Sequence, residues 1–258
     1  MMQYLINTRS RIGLGLFYTL FALWLQLSSQ SWSQTIISRL DFLAYDLRLN
    51  LTLPAERTIA DNVVIIDIDE ASLRAEGRWP WSRQKMGRMV EELKAAGVHT
   101  IGFDVAFTEP ERNVAQELID GASATGQLQH RDYLEQLIPG MDRDQTFAAR
   151  LKGQNIVMGF LLHTLEEESV GAMPSPWSMF PQGDDRELTV PQMASYTGNL
   201  KVLQKAAKYG GFLNTTMDAD GVLRSTPLIL GHDEMIYPSL SLAMARRYTK
   251  SLRFKVET

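Results

Sequence analysis

Residues Asn62 to Arg83, NVVIIDIDEASLRAEGRWPWSR, set a short β-branched run directly before carboxylates and a pair of tryptophans. Val63, Val64, Ile65 and Ile66 are too few for an independent helix and read as a buried strand. Period-2 alternation puts Asp67 and Asp69 on one face with Val63 and Ile65, and Ile66 and Ile68 on the other. Trp79 and Trp81 bracket Pro80, whose ring stiffens the segment. Ser82 then caps a helix from Arg83 to Ala96, with Met86, Met89, Val90 and Leu93 as its apolar stripe and Gly97 as its stop. The next strand is His99 to Phe107. Strand, helix and strand in this order predict a right-handed parallel crossover within one sheet.

The rest of the chain alternates in the same way. Residues 112–138 read as helical, and Asp142 with Gln145 opens a further helix through Leu151. Asn155 to His163 (NIVMGFLLH) is a strand. Asn199 caps a helix to Tyr209 that Gly210 and Gly211 end. A strand, a turn at Asp218 to Gly221, a second strand, a further turn and a short strand lead to a last helix, Ser239 to Tyr248. Leu252 to Val256 begins another strand. The proline-bearing stretch from Thr164 to Met193 is the expected irregular excursion. The predicted fold is α/β: a mixed, partly parallel central sheet flanked by helices and preceded by one N-terminal transmembrane helix.

That helix is read from Ile12 to Leu27, an almost wholly apolar run with no charge between Arg11 and Arg39. Extension to Trp32 brings it to bilayer length, and Trp24 and Trp32 are candidate interfacial anchors. Arg9 and Arg11 keep the N-terminus in the cytoplasm and export the rest. A signal peptide cleaved near Ser29 to Ser31 and a buried soluble helix are the competing readings. The expected organisation is therefore a cytoplasmic N-terminus over 1–11, an anchor over 12–32 and one extracytoplasmic domain over 33–258. Within that domain, 34–51 reads as a helix running on from the membrane, either a packing helix or a signalling stalk.

Composition narrows the function. A net charge of −4 with no basic, aromatic-interleaved patch gives no reason to expect nucleic acid, and the absence of cysteine excludes thiol chemistry. The four histidines, His99, His130, His163 and His232, lack metal-ligand spacing, so no metal and no cofactor is assigned. Asp67, Asp69 and Asp104 fall near the C-terminal ends of two strands expected to be parallel, where open α/β sheets bind ligands. Together with Trp79, Trp81 and Arg83 they form the candidate ligand site. The alternative is a structural charge network, with Arg78, Arg83 or Arg224 neutralising the acids. Asp67-Ile68-Asp69 also has the form of the acid pair of a metal-dependent phosphatase. Its further acidic motif is met only by Asp184 and Asp185, in the proline-rich stretch. A purely structural, partner-binding exported domain is a third reading.

VVIIDIDEASL, GRWPWSR, GVHTIGFDVAFTEP, DADGVLRSTPLIL and YPSLSLAMA occur here in an order and spacing that resembles the type-two CHASE domain. The upstream FLAYDLRLNL is similar to that family's entry helix. The resemblance implies an extracellular sensory domain of bacterial nucleotide cyclases and histidine kinases, with a cytoplasmic output enzyme and a homodimeric assembly. It supplies neither a ligand nor binding residues. The chain stops near Thr258, ahead of the family's closing strands, later membrane helices and output module, so a fragment of a longer protein is expected.

Overall fold

The structure is a computed structural model describing residues 8–27, 31–53, 62–125, 131–179 and 190–250. It divides into two compact units, Met1–Asp67 and Ile68–Thr258.

The first unit holds α1 (Thr8–Leu27) and α2 (Ser31–Thr52). Leu16, Phe17, Leu20 and Leu23 of α1 are all exposed, and so are Ile36, Leu40, Leu43 and Leu47, the apolar series expected along α2. No helix among the described residues is long and apolar enough to cross a membrane, so the predicted transmembrane span over 12–32 is not supported. The physical reason lies in its length. The described uncharged part of α1 runs from Ile12 to Leu27, a rise of about 24 Å against a hydrocarbon thickness of about 30 Å; residues 28–30 of the predicted span lie outside the described residues.

Val63 to Ile66 is the main correction to the expected topology. These residues are not a strand, and their side chains are 54–89% exposed. A β-branched run fits a pleated surface, but only a partner strand satisfies its backbone groups, and that partner is a tertiary choice.

The second unit begins with two helices, α3 (Glu70–Glu76) and α4 (Arg83–Ala95). Gly77 ends α3 at φ +89°, a conformation that favours glycine. Ser82 caps α4 by accepting from Lys85 N at 3.3 Å, as the sequence predicts. After β1 (Ile101–Phe103) come α5 (Val114–Thr125), α6 (Arg131–Leu137), a 3-10 turn at Pro139–Met141 and α7 (Arg143–Leu151). Asp142 caps α7 by accepting from Gln145 N at 2.9 Å.

β2 (Ile156–His163) is the central strand, and its near-continuous burial explains its unbroken apolar sequence. It pairs in parallel with β1 and with β5 (Tyr209–Phe212), and antiparallel with β4 (Ser195–Thr197). The parallel crossovers therefore run from β1 through α5–α7 to β2, and from β2 through α8 (Lys201–Ala207) to β5. A second, antiparallel sheet orders β3 (Ser178–Met179), β7 (Met235–Pro238) and β6 (Ile229–His232). α9 (Leu240–Thr249) follows, capped by Ser239. Part of the supposed excursion is tied down by isolated bridges, Val170 to Thr197 and Ala172 to Asn199. Residues 180–189 and the expected terminal strand at 252–256 lie outside the described residues.

The two faces of the main sheet carry different layers. Ile156 and Met158 pack with Met86 and Val90 of α4, Phe147 and Leu151 of α7 and Leu203 of α8. Phe103, Phe107 and Phe147 meet edge to face at 5.5–6.2 Å within that cluster. Each buried ring contributes roughly 1.5–3 kcal/mol of transfer energy. The opposite face is built for close approach by α9. A Cβ on Gly102 would lie 2.1 Å from Met244 Sδ, and one on Gly211 would lie 2.5 Å from Leu240 Cα. The fold is a mixed α/β sheet flanked by helices, as expected, reached by a different set of crossovers.

Candidate functional site

The charged centre of the second unit is assembled where α4 and α7 begin. Arg83, the first residue of α4, donates from Nε to Asp144 Oδ1 at 2.8 Å and from Nη2 to the Glu109 carbonyl at 2.8 Å. Its guanidinium lies 4.6 Å from the Phe107 ring centroid. Its backbone N–H donates to Glu111 Oε2 at 2.6 Å, while Glu111 N donates to Asp144 Oδ2 at 2.8 Å. Arg143 Nη1 closes the circuit on Glu111 Oε1 at 2.7 Å. Both Asp144 oxygens are thus engaged, and the loop after β1 is tied to two helices. Such a buried pair fixes geometry more than it adds stability.

Trp79 and Trp81 lie beside this network. Their rings meet at 6.1 Å, edge to face, and both are half-buried against the core. Trp81 Nε1 donates to the Gly77 carbonyl at 2.8 Å, and Lys85 Nζ lies 5.2 Å from the Trp81 ring centroid. Lys85 also pairs with Glu76 Oε2 at 2.8 Å. That contact, followed by the nearby charge, holds the Glu76 carboxyl below its ordinary pKa.

Each acid expected to join these aromatics has its own local setting. Asp69 is the N-cap of α3, its Oδ1 accepting from Ser72 N at 2.8 Å and Ser72 Oγ at 2.7 Å. The backbone N–H, then the hydroxyl, lowers its pKa. Asp104 is exposed directly after β1, at the C-terminal end of a parallel strand. Asp67 is exposed and belongs to the first unit. Arg83 is committed to Asp144, and Arg224 holds Asp218 at 3.0 Å and Asp220 at 2.8 Å. Arg224 draws the Asp220 carboxyl down to about 2. Among the described residues no group of three or more His, Asp or Glu side chains is placed to hold a metal ion. Asp184 and Asp185 lie outside those residues.

Asp144, Glu111 and Asn199 are the polar residues that sequence reasoning missed. Asp144 is an acid in the first turn of a helix, which local pattern explains without a partner. Asn199 is fully buried and does not cap α8, whose N-cap is Leu200. Its Oδ1 accepts from Phe107 N at 2.8 Å, and its Nδ2 donates to the Gly159 carbonyl at 2.9 Å and Gln204 Oε1 at 3.2 Å. An asparagine just ahead of a helix carries the cap signal whether or not it caps.

No curated protein and no solved structure matches the chain. The model of the CHASE2 domain family matches residues 18–257, which spans both units and every motif on which the resemblance rests. A family of sensory domains thus accounts for almost the full length of the sequence, and this chain belongs to the CHASE2 domain family.

Proposed function

We propose that this chain is the extracytoplasmic input domain of a bacterial signalling receptor, relaying a small-molecule or ionic stimulus to a cytoplasmic output enzyme, a nucleotide cyclase or a kinase. The observation that carries the reading is the family match over residues 18–257. Export is supported by the family itself, a family of extracellular sensory domains. A membrane surface is the proposed neighbour of α1, whose exposed apolar side chains favour a non-aqueous phase. Paired output enzymes favour a homodimer.

The proposed stimulus-responsive region is the segment carrying Asp69, Trp79, Trp81 and Arg83, together with Asp104 at the end of β1. A ligand binding one arrangement of these loops more tightly shifts the domain between two states by its differential affinity. The Arg83 network supports this, since it links that segment to the loop after β1 and to α7.

A thermal-shift screen against metal ions and small metabolites, with and without chelator, tests the proposal. The expected result is a saturable shift that is lost in Asp104→Asn and in Trp81→Ala. If nothing shifts the protein and the variants are merely less stable, the small-molecule reading falls and a partner-binding role replaces it.

A further inference from the structure

A cleft of about 400 Å³ lies beside the Arg83 network, lined by Gln84, Val114, Met141, Arg143, Thr146 and Arg150. We propose that it binds a small organic carboxylate with a short apolar body. The proposal does not rest on the sensory reading and uses none of the residues assigned to it.

Arg143, Thr146 and Arg150 follow at i, i+3 and i+7 along α7, so they share one helix face over about 10 Å. Both guanidiniums are held in place. Arg143 Nη1 pairs with Glu111 at 2.7 Å; Arg150 Nε pairs with Glu91 at 3.0 Å and its Nη1 donates to the Gln84 carbonyl at 3.0 Å. Arg150 reaches α4 because position 87 is glycine, where a Cβ would stand 2.5 Å from Arg150 Cδ. A guanidinium carries five N–H donors, and these bonds use only some of them. The donors that remain are pre-oriented, which lowers the ordering cost of binding an acceptor.

Charge and lining define the ligand class. Glu91 and Glu111 already balance the two arginines, so a polyphosphate would meet two carboxylates as well as two guanidiniums. A single carboxylate accepts in the planar geometry that guanidinium favours and adds one charge. Val114 and Met141, 43% and 39% exposed, supply an apolar wall.

The test uses the full chain, hexanoate as probe and the arginine Nε–H signals in ¹H–¹⁵N spectra as readout. Hexanoate is expected to shift the Arg143 and Arg150 signals saturably, whereas hexanol and inorganic phosphate leave them in place. Val114→Glu puts a carboxylate into the cleft without touching either ion pair, and is expected to weaken hexanoate by about tenfold or more. Unchanged hexanoate binding in that variant overturns the proposal. So does a response to hexanol equal to that of hexanoate, a response to phosphate in its place, or no saturable response.

Discussion

Arg83 and Asp144, 61 positions apart in the chain, meet at 2.8 Å with only 11% and 9% of their side chains exposed. Two charges so enclosed hold each other in place, and removing one strands the other away from water. Asp144→Ala is therefore expected to cost about 3–5 kcal/mol in urea unfolding. The paired replacement Arg83→Met with Asp144→Leu should recover most of that loss. A double variant no more stable than Asp144→Ala would show that the surrounding donors, rather than the stranded charge, set the cost.

Asn199→Ala deletes three hydrogen bonds at a fully buried position and leaves the Phe107 N–H and the Gly159 carbonyl without that partner. Urea unfolding should show a loss of about 2–4 kcal/mol, since each stranded group costs about 1–3 kcal/mol. Asn199→Asp keeps the acceptor for Phe107, and at a pH where the aspartate is protonated its single O–H replaces one of the two amide donors, so it should fall between wild type and alanine.

Gly211→Ala drives a methyl against backbone atoms of Ser239 and Leu240 at 2.5–2.7 Å. Backbone yields less readily than a side-chain tip, so α9 or β5 must move. The expected penalty is about 1–3 kcal/mol, with amide-exchange protection reduced in α9 before the centre of β2. Uniform loss of protection would contradict a local clash.

The pH response of the Asp218–Gly221 turn has a definite sign. Arg224 lowers the folded pKa of Asp220 from 3.8 to about 2. A depressed carboxyl stabilises the fold in full above the unfolded value and loses that contribution as pH falls from 3.8 through about 2. Carboxyl-detected NMR should place the Asp220 midpoint near 2, and Arg224→Gln should return it towards 3.8. A midpoint unmoved by that substitution would remove Arg224 as the cause.

Much of the secondary structure was legible because its signals are local. Ser82 and Asp142 each cap the helix that follows, and NIVMGFLLH is the buried strand its composition describes. What was not legible depends on partners distant in sequence. Val63 to Ile66 have the residue types of a strand but form no ladder among the described residues, and Asn199 has the residue type of a cap yet bridges two segments of the core. The candidate site divides along the same line. Trp79 and Trp81 meet as neighbours two positions apart would, whereas the acid that binds Arg83 comes from α7, and no spacing rule connects them.

Gly211 lets α9 rest backbone to backbone on β5, while Gly102 makes room on β1 for the Met244 side chain of α9. Over β5 the missing Cβ leaves little to compress, whereas over β1 the flexible Met244 side chain absorbs small displacements. α9 is thereby held more stiffly to β5 than to β1, so that a displacement of β5 carries the helix with it.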